Sequence, residues 1–205
     1  MSSSCICTNV LFIIIIMKFT PRLDEAIRIS ARAHRNQKRR GSDTPYIVHP
    51  YGVMVVASQY TNDEDVLIAC LLHDIIEDVP DEYTTEQMKQ QFGDNVLDLV
   101  LGVTKDRNIT DWKASCDDYL YRLENKAPAE STIIAVADKI HNIMSMLHDY
   151  ETAGDKIWNM FAADKLSQKW WFEATREVAQ KRIPDNKILK AYDEYLSKLI
   201  TIIDD

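Results

Sequence analysis

The residues best suited to chemistry lie in Leu71-Leu72-His73-Asp74-Ile75-Ile76-Glu77-Asp78. Here an imidazole and a carboxylate interrupt an apolar run that begins at Val66, and two more carboxylates follow. If the segment is one helix, His73 and Glu77 are i,i+4 neighbours, and so are Asp74 and Asp78. A solvated helix end could carry the same acids without consequence. The Leu-Leu and Ile-Ile frame argues instead for burial, and a buried carboxylate without a partner is strongly unfavourable. A divalent cation would hold such a cluster in place.

Two other segments carry ligand-type side chains in apolar surroundings. His49 precedes Pro50, which places it at a helix boundary. Asp138 interrupts the run Ile133 to Ile143, with Asn142 one turn later on the same face. Imidazoles and carboxylates without a thiolate suit Mn²⁺, with Mg²⁺ or Fe²⁺ as alternatives; a structural zinc would more often recruit Cys. Cations cluster in two loops, one with Arg35, Lys38, Arg39 and Arg40 and one with Lys105 and Arg107. They read either as solvated charge or as phosphate contacts.

The elements that must position these groups are helical. Apolar residues recur at helical spacing and no alternating strand pattern stands out, so the expected class is all-α, a bundle of roughly eight to ten helices. The pattern predicts helices over Arg22–Gln37, Tyr51–Tyr60, a core helix ending near Val79, Asn95–Val103 and Trp112–Asn125. Thr84 with Gln87 suits a capping box for Thr85–Phe92. Pro128 is expected to open a helix through Ile143, and Gly154 to break the pattern before Asp155–Lys181 and Pro184–Ile203. Trp158, Phe161, Trp170, Trp171 and Phe172 read as core.

The chain has 205 residues, enough for one domain with a proper core. Its 32 acids and 24 bases give a net charge of −8, which argues against general nucleic-acid or membrane-surface binding. Cys5, Cys7, Cys70 and Cys116 form neither a disulfide framework nor a zinc knuckle. A reducing, cytoplasmic setting fits them. The apolar run Val10–Met17 is far shorter than the ~20 residues a membrane helix needs. No Lys or Arg precedes Lys18, which argues against a signal peptide. Residues 1–18 are therefore expected to be an extension, with Met17 as the working start, and 19–205 a single domain.

Read together, His49, His73-Asp74 and Asp138 resemble the ordered pattern of the HD-domain metal-dependent phosphohydrolases. The likeness extends to the RelA/SpoT-type alarmone hydrolases. Ala33-His34-Arg35-Asn36-Gln37, Arg39-Arg40 and Thr44-Pro45-Tyr46-Ile47-Val48-His49-Pro50 are similar to the opening of that domain. Leu71 to Asp78 resembles its second motif; Gly102-Val103-Thr104-Lys105 and Ala137-Asp138-Lys139-Ile140-His141-Asn142 resemble later ones.

The resemblance implies that His49, His73, Asp74 and Asp138 hold one Mn²⁺ and that Glu77 and Asp78 are the catalytic carboxylates. It also implies that Arg39 and Arg40 pack against a nucleotide, that Lys105 or Arg107 faces phosphate, and that Asn142 lies near metal and substrate. The implied reaction removes pyrophosphate from the 3′ position of guanosine tetra- or pentaphosphate. The chain looks like the small, hydrolase-only class, metazoan SpoT homologues included. His34 and His148 read as non-ligands. Met144, Val79 and Gly41 depart from the common pattern of the family without touching an expected ligand. Two other readings compete: a phosphatase or nucleotidase for another nucleotide such as NADPH, and a non-catalytic alarmone-binding regulator.

Overall fold

The computed structural model describes residues 17–205, and the apolar run expected to lie in an extension falls largely outside them. Among the described residues there are ten α-helices and one 3-10 helix, and no strand. The all-α expectation therefore holds. None of these helices is long and apolar enough to cross a membrane.

Helix starts follow their capping chemistry. The Thr20 hydroxyl accepts from the Leu23 N–H ahead of α1 (Pro21–Ala33), with Pro at the first position. Asp63 caps α3 (Glu64–Leu72) after α2 (Val48–Ala57). A single turn, α4 (Ile75–Asp78), comes next. Thr84 and Gln87 form the expected capping box on α5 (Thr85–Phe92), which leads into α6 (Asp94–Leu101). Asp111 caps α7 (Trp112–Asn125), and the longest helix, α8, spans Ser131–Ala153. A 3-10 helix (Gly154–Met160), α9 (Lys165–Arg182) and α10 (Ile188–Asp204) complete the chain.

α3 is the centre of the bundle. Every residue from Val66 to Leu72 is buried, so the helix has no solvent face and must be covered all round. It packs against α1, α2, α6 and α8, while α8 also meets α2, α9 and α10. Side chains from all these helices join one hydrophobic core.

Several boundaries differ from those the sequence predicts, among them the end of α1, at Ala33 and not Gln37. His49 lies inside the first turn of α2, because that helix begins at Val48. The core helix breaks at His73-Asp74. The His73 Nδ1–H donates to the Cys70 carbonyl at 2.8 Å, the acceptor an unbroken helix would offer to the Asp74 amide. α8 and α10 begin at Ser131 and Ile188, later than Pro128 and Pro184. The segment from Gly154 is 3-10 to Met160, and Asp164 caps a separate helix.

Candidate metal and active site

Three parts of the bundle bring their expected ligands to one point. α2 supplies His49, the α3–α4 break supplies His73 and Asp74, and α8 supplies Asp138. His49 Nε2 lies 3.1 Å from Asp138 Oδ1 and 3.4 Å from Asp74 Oδ2. His73 Nε2 lies 3.1 Å from Asp74 Oδ2 and 3.9 Å from Asp138 Oδ1. Both imidazoles are almost fully buried, at 2% and 4% exposure.

The donor atoms fit a cation. His73 Nδ1–H is committed to the Cys70 carbonyl, so in the neutral ring Nε2 carries a bare lone pair. That buried Nε2 has no hydrogen-bond partner: Asp74 Oδ2 is near but off the hydrogen-bond line. An orphaned buried nitrogen beside two carboxylates is what a metal site looks like without its ion. His49, His73 and Asp74 each offer a ligand atom within 4.8 Å of the others. The break in the helix matters here, because it turns His73 and Asp74 toward the same point.

Neighbouring polar groups orient the expected ligands. The Tyr46 hydroxyl donates to Asp74 Oδ2 at 2.7 Å. The Asn142 amide donates to Asp138 Oδ1 at 2.6 Å, and the Lys139 ammonium pairs with Asp138 Oδ2. His141 Nδ1 meets His49 Nδ1 at 3.0 Å. Asn142 was expected near the metal. Tyr46, Lys139 and His141 lie within the quoted motifs, but nothing in their spacing gave them a role. The signal available was a hydrogen-bonding residue within three positions of an expected ligand.

Charges in the cluster act strongly on one another. Burial alone would lower the His73 pKa, but Asp74 and Asp138 carry it up to about 9. Burial would raise Asp74, yet His73 and His49 hold it well below the usual carboxylate range. Asp138 is likewise held low against burial, by Lys139 and His49. For His49, burial outweighs both carboxylates and lowers the pKa. His141 falls to about 4 through burial, with His49 and Arg39 adding to the effect.

The cluster opens into a cavity of about 450 Å³. Glu77 and Asp78 line it one turn beyond the ligands. Glu77 Oε2 accepts from the Lys105 backbone N–H at 2.9 Å, and burial raises its pKa against that bond. Asp78 Oδ2 accepts from the Gln37 amide at 2.7 Å. Arg39 and Arg40 form part of the wall. Arg39 reaches Asn142 Oδ1 at 3.3 Å and lies 5.6 Å from the Tyr46 ring centre. Arg40 donates to the Met160 carbonyl at 3.2 Å. Gly41 follows with φ of 70°, and a Cβ there would sit 2.2 Å from Met160 Sδ. The positive φ explains glycine at this position, since the methionine side chain could move aside.

On the far side the Lys105 ammonium lies 4.8 Å from the Trp171 ring centre. Arg107 does not join: it is exposed and lines no part of the cavity. The aromatic residues expected as core divide. Trp171 and Phe172 are buried but also face the cavity, as does the half-buried Phe161. Trp158 and Trp170 pack at the edge of the core.

A sequence profile described as the HD domain matches residues 26–168. The chain belongs to the HD-domain family. The HD domain here is 33% identical over 127 residues to a GTP pyrophosphokinase of Streptomyces coelicolor, covering 61% of this chain and 15% of that protein. It is 33% identical over 139 residues to the bifunctional (p)ppGpp synthase/hydrolase SpoT of Escherichia coli, covering 61% and 18%. The chain thus spans less than a fifth of these long relatives. It spans far more of a guanosine-3′,5′-bis(diphosphate) 3′-pyrophosphohydrolase of Danio rerio. That protein is 32% identical over 130 residues, with 62% of this chain and 70% of the relative covered. The HD fold superposes on a solved metazoan ortholog of SpoT with a TM-score of 0.70 and 24% identity, covering 89% of this chain and 98% of that one. A Listeria monocytogenes structure gives 0.66, also at 24% identity, covering 80% and 99%.

Proposed function

We propose that this chain is a metal-dependent hydrolase that removes pyrophosphate from the 3′ position of guanosine tetra- and pentaphosphate. The observation that carries it is the joining, in one cavity, of the four-residue donor set, the Glu77-Asp78 pair and cations from two loops. The Danio rerio relative named for this reaction supports the substrate class.

His49, His73, Asp74 and Asp138 would hold the ion, and an oxygen- and imidazole-rich set suits Mn²⁺. When bound, such an ion polarises a phosphoryl oxygen and lowers the pKa of water. Glu77 and Asp78 are the groups placed to take a proton from water and return one to the leaving oxygen. The raised pKa of Glu77 suits the protonated half of that exchange. Gln37 fixes the direction of the Asp78 carboxylate. Arg39, Arg40 and Lys105 offset phosphate charge that a net −8 protein would otherwise repel. Arg39, beside Tyr46 and Asn142, is also placed to stack on a base. The substrate is a small nucleotide, and the cytoplasm is the compartment where reduced Cys70 and Cys116 fit.

The test is to incubate the purified chain with Mn²⁺ and guanosine tetraphosphate, NADPH and nucleoside monophosphates, and to identify products. The expected products are guanosine 5′-diphosphate and pyrophosphate. Preferential release of inorganic phosphate from NADPH or a monophosphate would replace this reading with a phosphatase or nucleotidase. Tight guanosine tetraphosphate binding without turnover would replace it with a regulator.

A further inference from the structure

His141 belongs neither to the expected ligands nor to the cavity lining, yet its ring meets a ligand head-on. Its Nδ1 lies 3.0 Å from His49 Nδ1, and the ring centres are 5.0 Å apart. Two facing ring nitrogens at this distance share one proton. If His141 supplies it, the neutral His49 carries its own proton on Nε2, aimed at Asp138 Oδ1 3.1 Å away. That nitrogen could not then take a metal. If His49 supplies it, Nε2 is bare toward Asp138 and Asp74, and His141 accepts.

The two ligand histidines are therefore secured differently. His73 donates to a backbone carbonyl, which can only accept, so its tautomer is fixed. His49 faces a group that can donate or accept. Gly52, on α2 one turn beyond His49, bears on the same ring. A Cβ at Gly52 would fall 2.1 Å from His141 Nε2 and 2.2 Å from its Cδ2. Gly52 lies inside a helix and outside the positive-φ glycines, so backbone freedom does not account for it. Glycine inside a helix is unfavourable, and here the space it leaves is filled by His141.

We infer that His141 is a positioning residue for His49: it accepts the His49 Nδ1–H, keeps His49 Nε2 bare for the metal, and is seated by a notch at Gly52. The inference rests on the metal reading above.

Its test uses Mn²⁺ alone, without nucleotide, on the metal-stripped full chain. His141→Phe fills the space but cannot accept a hydrogen bond, and should weaken Mn²⁺ binding roughly 10- to 100-fold, the usual scale for such partners. His141→Gln offers an amide oxygen to the same N–H and should recover most of that loss. Gly52→Ala, which pushes the ring aside, should resemble His141→Phe. Binding is read by titration calorimetry, and folding by circular dichroism of each metal-free variant. Wild-type affinity in folded His141→Phe would overturn the inference. So would equal losses in the Phe and Gln variants, since that pattern reports packing alone. If Gly52→Ala does not fold, the Phe-against-Gln comparison decides. A wild-type chain that binds no Mn²⁺ would overturn the metal reading itself. Absent hydrolysis with normal Mn²⁺ binding would count only against the proposed substrate.

Discussion

The donor end of the cavity and its cationic rim are held by different means. His49 and Asp138 project from helices packed against α3, and His73 and Asp74 from the break at its end. Each has at least one hydrogen-bonding or charged neighbour fixing its direction. Arg39 and Arg40 sit on a loop closed by backbone hydrogen bonds around an isolated bridge, Lys38 to Pro45, and tied to the bundle by contacts to Asn142, Ser145 and Met160. Rigid elements hold reacting groups to a fraction of an ångström, while loops can change without loss of the core. The donor end should thus govern whether the reaction runs, and the rim which phosphorylated compound enters.

The largest effects should come from the donor end. His73→Ala or Asp138→Ala should abolish metal binding and nearly all turnover while helical content persists. Elemental analysis, circular dichroism and a rate assay check this together. Wild-type metal content would break the assignment. Next come the carboxylates beyond the ligands. Glu77→Gln or Asp78→Asn should keep the metal and lower kcat by roughly 10²-fold or more.

Metal uptake should also depend on pH. With the His73 pKa carried from 6.5 to about 9, the metal-free protein gains stability that is complete below about 6.5. That gain is lost as pH rises through about 9. A metal needs the neutral ring, so binding between these limits should release a proton and tighten up to about tenfold per pH unit. Calorimetry in buffers of different ionisation heat would detect the proton; its absence would mean His73 is already neutral.

The rim should give the smallest effects. Arg39→Ala and Arg40→Ala should raise KM for guanosine tetraphosphate with little change in kcat, and salt should shrink the difference. Arg107→Ala should leave KM unchanged, because that exposed side chain lines no part of the cavity. Equal effects at Arg107 and Arg39 would show that bulk charge, and not the rim, draws substrate in.

The same contrast marks what could be read from the sequence. Ligand-type residues stand out where the frame is apolar, so His49, His73, Asp74 and Asp138 were visible without coordinates, and the structure brings them together. Capping at Thr84-Gln87 is local and was equally plain. The break at His73-Asp74 was not, because it depends on a side chain competing for a backbone carbonyl. Nor were the Tyr46–Asp74 and His141–His49 contacts, which join residues 28 and 92 positions apart. The absence of Arg107 from the cavity was hidden too, since a basic loop looks the same whichever way it faces. Trp171 reads as core and is core, but only the fold shows that it also forms a cavity wall.

The joint between α3 and α4 carries a further consequence. Glu77 and Asp78 inherit their heading from a single turn that starts at Asp74, not from the long apolar helix before it. Each added residue turns a helix by about 100°. An inserted alanine between Ile75 and Glu77 would leave all four ligands in register and swing the two acids out of phase with them. Such a protein should load metal like the parent and be silent as an enzyme, and melt lower because Ile76 and Val79 beside the acids pack against the core.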